Sequence, residues 1–204
     1  MTRVGLRRGG LSPILVVFLL AACGDGSSTS RVSSTTEAVP SGVGTPSPTV
    51  SPGPFASAHY GYVVTSNEWT GADASKVWDG SGSPGDTDPT VDTLEDPEGH
   101  AAFAFGESTD TTLRRYATAF RRTNATVHPC PVQPDRTGSI TIGHERAILD
   151  EMYCPRSGGP FVLTAFVIHS GQVHVFFTYT NEAGNEAPTR SWFGSLLREI
   201  SFTA

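Results

Sequence analysis

The chain has 204 residues, with fourteen Lys and Arg against twenty Asp and Glu, a formal net charge of −6 at pH 7. That acidity speaks against nucleic acid as a partner, because clustered Lys and Arg on phosphates supply most of such affinity. It also speaks against a polybasic membrane-surface patch. One lysine, Lys76, stands beside thirteen arginines, a bias of base composition rather than of function.

Arg3, Arg7 and Arg8 precede an apolar run from Ile14 to Ala22. The run is far short of the ~20 residues that cross a bilayer, so residues 1–22 have the form of a signal peptide. Leu20-Ala21-Ala22-Cys23 at its end resembles the lipobox of bacterial lipoproteins. That resemblance implies cleavage before Cys23, a diacylglyceryl thioether and further acylation (palmitate, for example) on that residue. The mature protein would then be lipid-anchored on the extracytoplasmic face of the cell membrane. More than one acyl chain, at about 0.8 kcal/mol per buried methylene, makes such attachment lasting. The other reading is an ordinary secretory signal with an incidental cysteine. Cleavage removes three arginines and no acids, taking the formal charge from −6 to −9. The acyl group is then what holds the protein at the bilayer.

Residues 23–56 are expected to be a disordered tether rich in Ser, Thr, Pro and Gly, with Pro40, Pro46, Pro48, Pro52 and Pro54 spaced along its second half. Such a stretch buries too little apolar surface to offset its ordering entropy. As a coil it spans roughly 30 Å. Its Ser/Thr/Pro composition also resembles O-glycosylated stalks.

Residues 57–204 are one domain's worth of chain, without an internal repeat. Tyr60–Val64 has the pattern of a short strand. A Gly/Asp/Pro-rich excursion follows from Asn67 to Gly99, holding Trp69, Trp78 and a strand near Thr90–Leu94. Ala101–Phe105 is the next strand. Asp110–Thr123 is predicted helical, because Leu113, Tyr116, Ala117 and Phe120 form one apolar stripe. Ser108, Thr109 or Asp110 would cap it. Arg114, Arg115, Arg121 and Arg122 would form a solvated face, the last two suiting the helix dipole.

Strands are expected at Ser139–Ile142 and Arg146–Tyr153. Phe161–Ile168 and Gln172–Thr180 then flank Ser170-Gly171, a two-residue hairpin signal. In that register His169 faces Gln172 and Val167 faces His174. Both faces of the hairpin are apolar, so both need cover. A helix over Ala187–Arg198, with Pro188 in its first turn, is available for one of them. Ile200 and Phe202 suggest a last strand. The fold class is therefore α+β, an antiparallel sheet of about five to seven strands covered by helices.

The domain resembles the Mog1/PsbP-like fold as found in actinobacterial lipoproteins, from Tyr60 to Phe202. The resemblance is carried by Tyr62, Trp69, Trp78-Asp79-Gly80, Asp92, the Tyr116 helix, Cys130, Ile142-Gly143 to Ala147, and Cys154. Trp192-Phe193 to Leu197 and Ile200-Ser201-Phe202 complete it. His144-Glu145 stands where small residues are expected. The resemblance implies a sandwich fold and an accessory or binding role, and it carries over no site residues.

With Cys23 lipidated, Cys130 and Cys154 are one pair in an oxidising compartment, which favours a disulfide. A thiol metal site is disfavoured, since there is no Cys-x-x-Cys and two separate cysteines lack partners at zinc spacing. Gly80-Ser81-Gly82-Ser83-Pro84-Gly85 matches G-x-G-x-x-G, but the acidic Asp86-Thr87-Asp88-Pro89 follows where a phosphate cradle needs a helix. Asp86, Asp88, Asp92, Glu95 and Asp96 are candidate oxygen ligands for Ca²⁺, without the EF-hand spacing. His169 and His174 share a sheet face as diagonal neighbours. With His144 or Glu145 they are a candidate zinc or copper set, set against the simpler reading of a polar hairpin end. Trp69 and Trp78 are candidate partner-binding residues, or else cap the edge of a core.

No nucleophile elbow is present. The expectation is a lipid-anchored extracytoplasmic binding or accessory lipoprotein, without catalytic activity or cofactor, meeting an envelope protein, a glycan or a small ligand. The alternative is a metal- or carboxylate-dependent cell-envelope hydrolase, for which Asp150-Glu151 and the acidic loop offer pairings.

Overall fold

The structure, a computed structural model, describes residues 54–128, 130–154 and 159–203. The expected signal peptide, Cys23 and the tether as far as residue 53 lie outside the described residues. In chain order the elements are β1 (Phe55–Ala56), β2 (Tyr62–Val64), β3 (Thr70–Ala72), β4 (Asp92–Glu95), β5 (Ala101–Ser108) and α1 (Leu113–Val127). Then come β6 (Arg136–Ile142), β7 (Glu145–Tyr153), β8 (Phe161–His169), β9 (Gln172–Thr180), α2 (Glu186–Glu199) and β10 (Ile200–Phe202). No helix among the described residues is long and apolar enough to cross a membrane.

Seven strands make one antiparallel sheet in the order β3-β4-β5-β9-β8-β7-β6. Its centre is the β8–β9 hairpin, where Ala165 faces Phe176, Phe166 faces Val175 and Ile168 faces Val173. Ser170 and Gly171 form the turn with φ of 48° and 76°, the paired positive angles of a type I′ hairpin. Gly143 and His144 do the same between β6 and β7, at 54° and 72°. That turn explains the departure at His144: the position needs a left-handed backbone rather than a small side chain.

The expected pairing of His169 with Gln172 and Val167 with His174 is the observed one. One face of the hairpin therefore carries Val162, Phe166, Val175 and Phe177, and α1 covers it. Tyr116 and Phe120 stand edge-on to Phe166 with ring centroids 6.4 and 5.5 Å away. The opposite face carries Leu163, Ala165 and Phe176. It is covered by α2, whose Phe193, Leu196 and Leu197 are buried, and by a second sheet of three strands, β1-β2-β10. Tyr62 of β2 stands edge-on to Phe176 at 5.2 Å. The result is an α+β sandwich, with helices on both faces of a long antiparallel sheet.

Several expectations are corrected. Helix α1 starts three residues later and ends four later than predicted, and Thr112 is its cap, accepting from the Arg115 N–H. Because the helix runs on to Val127, Arg121 and Arg122 lie inside it rather than in the last turn. Phe55 and Ala56 pair with Val64 and Val63, so the last two residues assigned to the expected tether belong to a strand. The Phe55 ring packs over Gly71, where a Cβ would stand 2.0 Å from it. Only glycine leaves that space open on β3. The last strand, β10, belongs to the small sheet with β2 and not to the large one.

Candidate functional site

On the α1 side of the sheet, beyond the end of the helix stripe, the packing leaves a cavity of about 250 Å³. Its floor is β8 and β9 through Val162, Thr164 and Phe177, the residues that alternate outward on that face. Phe120 and Asn124 of α1 form one wall, the Cys130–Cys154 disulfide a second, and the glycine-rich segment Ser83 to Asp86 the rim. The expected disulfide is formed, with Cα atoms 4.4 Å apart, and it ties the chain after α1 to the chain after β7.

The walls are largely apolar, and several polar groups at the rim are already committed. Ser83 Oγ donates to Asn124 Oδ1 at 3.0 Å. An amide oxygen takes no proton from a serine, so this contact does not activate a nucleophile. Tyr179 donates its phenol hydrogen to the Asp86 carboxylate. That hydrogen bond, with some burial and the negative charge beside it, pushes the Tyr179 pKa up to about 12. At neutral pH the phenol is a proton-bearing tether for the loop and not a base. A cavity of this size, near the lower end of the range for small-molecule sites, suits a compact apolar ligand or one or two apolar side chains.

Between β3 and β4 the excursion from Asn67 to Gly99 is held by buried hydrogen bonds rather than by regular structure. Asp92, fully buried, accepts from Tyr62 Oη at 2.9 Å and from the Ala74 N–H at 2.7 Å. Burial raises its pKa, while these donors favour the charged form and oppose the shift. Tyr60 Oη donates to the Thr90 carbonyl and accepts from the Trp78 N–H at 3.1 Å. Trp78 is then buried edge-on to Phe105, with centroids 4.7 Å apart, and its Nε1–H donates to the Ser81 carbonyl at 3.0 Å. Trp69 is buried against Trp192 at 5.9 Å. At 6% and 7% exposure, Trp69 and Trp78 present no free ring to a partner. They cap the core, the other of the two readings offered by the sequence.

The acidic residues of this region do not converge on one point. Asp88 caps Thr90, Asp86 holds Tyr179, and Asp92 is consumed by Tyr62 and Ala74. Among the described residues the ligating atoms of Asp96, Glu98 and His100 lie within 4.8 Å of one another. There His100 Nδ1 is 2.7 Å from Asp96 Oδ2, and its ring lies over Trp192 at 5.1 Å. The histidine set divides differently. His169 Nδ1 is 3.2 Å from Glu145 Oε1, while His174 is buried at 2% exposure with Nδ1 unpartnered. Phe202 packs against both imidazoles, at 4.8 and 4.6 Å. Among the described residues, His144, Glu145, His169 and His174 do not gather their ligating atoms as Asp96, Glu98 and His100 do.

Asp150 and Glu151, the carboxylates considered for hydrolysis, are structural. Asp150 takes two hydrogen bonds from Arg121, and Glu151 takes one from Arg190 at 2.9 Å. Being adjacent on a strand, they also point to opposite faces of the sheet. The cavity itself was not foreseen from the sequence. The disulfide, Phe120 in the helix stripe and the glycine-rich loop were each visible, but nothing local tells that they meet over Phe177.

No family model and no curated protein matches the chain. Among solved structures, the fold is similar to the solution structure of cyanobacterial PsbP (CyanoP) from Synechocystis sp. PCC 6803. The TM-score is 0.51 at 11% identity, over 78% of this chain and 98% of that one. At that identity the likeness is one of fold alone: the described residues have a PsbP-like fold.

Proposed function

We propose that the chain is a lipid-anchored extracytoplasmic lipoprotein whose PsbP-like domain works by binding rather than by catalysis. Cys23 carries the lipid, the stretch from there to β1 gives the domain reach, and the cavity beside the disulfide receives a compact apolar ligand or an apolar side chain of an envelope partner. The single observation behind this reading is the cavity's chemistry. Its walls are Phe120, Phe177, Val162 and a disulfide, while Ser83 and Tyr179 spend their hydrogens on Asn124 and Asp86. Such a site offers shape and apolar contact, and among the described residues no serine or threonine hydroxyl lining it is hydrogen-bonded to a base.

Two measurements test it. Metabolic palmitate labelling with mass spectrometry of the mature N-terminus should find acylated Cys23; an unlabelled or cytosolic chain refutes the anchored reading. Titration of the full chain with the apolar fluorophore anilinonaphthalene sulfonate should show saturable binding at one site. Val162→Trp, which fills the cavity from its floor, should abolish it. Binding that survives in a folded Val162→Trp protein removes the cavity from the proposal.

A further inference from the structure

We infer that the exposed face of α1 is a docking surface for anionic phospholipid headgroups, which orients the anchored domain on its own membrane. The inference rests on the anchored reading above.

Helix α1 carries four arginines and no acidic residue. Arg121 is spent on Asp150. Arg114, Arg115 and Arg122 are exposed and, among the described residues, form no ion pair. With 3.6 residues per turn, positions 114, 115, 118 and 122 fall within a 100° arc, opposite the stripe that buries Tyr116 and Ala117. A shallow depression between them is lined by Thr112, Arg114, Arg115, Thr118, Ala119 and Arg122. Guanidinium groups stay charged at any working pH and match phosphate oxygens with paired N–H donors. Thr112, whose hydroxyl oxygen accepts from the Arg115 N–H, adds one O–H donor, while the Thr118 hydroxyl donates to the Arg114 carbonyl.

Two observations favour a lipid surface over a protein. The face has no aromatic or large aliphatic side chain, the anchor that protein interfaces centre on. The rest of the chain supplies the contrast: cleaved before Cys23 and without these three arginines it carries −12 in formal charge. Anionic headgroups repel such a surface almost everywhere and attract it at this patch. Three arginines are too few to recruit a free protein from solution. For a domain held by a coil of roughly 30 Å, the second contact is intramolecular in effect, and weak attraction suffices to orient it. Whole-chain acidity conceals this patch, because the acids and the arginines are segregated along the sequence.

The test is arginine footprinting of the full acylated chain on vesicles of phosphatidylcholine, with or without phosphatidylglycerol. Phenylglyoxal modification is read by peptide mass spectrometry. Arg114, Arg115 and Arg122 should react several-fold more slowly on the phosphatidylglycerol vesicles, and high salt should erase the difference. Exposed Arg146 and Arg198 should react alike on both. Equal reaction of the three α1 arginines on both vesicles overturns the inference. So does equal protection by inorganic phosphate without vesicles, which makes the patch a free-anion site. Protection in intact cells but not on vesicles overturns it in favour of an acidic protein. A chain that floats with neither vesicle fails at the anchor and takes both readings down, whereas one that floats unprotected sinks only this one.

Discussion

Arg121 grips Asp150 with two parallel hydrogen bonds, Nε to Oδ2 at 2.6 Å and one terminal nitrogen to Oδ1 at 2.7 Å. Thr137 Oγ1 adds a third at 2.9 Å. One carboxylate thus joins the middle of α1 to β7 and β6. The Asp150 side chain is fully buried and that of Arg121 is 15% exposed, so water contributes little to either charge. Removing the guanidinium leaves an uncompensated carboxylate, at a cost of about 3–5 kcal/mol. Arg121→Ala should lose that much in urea unfolding, while Arg121→Met with Asp150→Leu should recover most of it. A loss below about 1 kcal/mol in Arg121→Ala would place the pair in the weak class of surface bridges.

The Cys130–Cys154 bond closes a segment of separation 24 that contains the whole of β6 and β7. In the chain-entropy account a loop of that length stabilises the fold by roughly 3–4 kcal/mol. Cys130→Ala with Cys154→Ala should lower the urea midpoint accordingly and loosen the cavity wall. Alkylation of the native protein before proteolysis should find both thiols blocked. A freely alkylated Cys130 in protein taken from its own compartment contradicts the bond.

The large sheet was legible because its centre obeys local rules. Ser170-Gly171 fixes the β8–β9 register, and alternation then assigns every side chain to a face. The stripe of α1 was legible for the same reason. What escaped was non-local. The small sheet is built from strands of two or three residues, with Tyr62 paired to Phe202 across most of the domain, and no local signal announces such a partner. Trp69 and Trp78 were ambiguous because the glycine-rich chain around them has no period. Partners elsewhere in the chain settle it: Tyr60 takes the Trp78 N–H and Phe105 meets its ring, while Trp69 packs on Trp192 of α2. Asp150 did leave a signal: a carboxylate inside the strand Ala-Ile-Leu-Asp demands a cation, and an arginine on the neighbouring helix was the natural place to look. The cavity left none, since its volume depends on how three separate segments meet.

Tyr179 and Asp86 close the rim of the cavity, and the phenol titrates at about 12 because that carboxylate holds its proton. Asp86→Asn keeps the shape and removes the charge, so the Tyr179 pKa should fall toward the ordinary value near 10. The ultraviolet difference spectrum between wild type and variant should then show one extra tyrosinate between pH 10 and about 12. Superimposable titrations would mean that the hydrogen bond does not form. The variant should also weaken fluorophore binding by freeing the loop from β9.

His174 makes the domain sensitive to mild acid. It lies at 2% exposure between β8 and Phe202, and burial, with nearby His169 adding repulsion, lowers its pKa from 6.5 to about 4. The unfolded chain takes up that proton near pH 6.5, whereas the native one resists until about pH 4. Between those values the unfolded state binds more protons, so stability falls as pH falls. The loss amounts to about 3 kcal/mol across the window and ends below it, where both states are charged. Asp92, its pKa raised by burial, pulls the opposite way at lower pH, so wild type must be compared with a variant rather than with itself. His174→Phe keeps an aromatic ring against Phe202 and removes the titration. Its stability should change less than that of wild type between pH 7 and pH 4.5, and imidazole resonances should place the native His174 transition near pH 4. Parallel acid profiles for the two proteins would show that the proton enters the native state without cost, which an imidazole enclosed by β8, β9 and Phe202 does not permit.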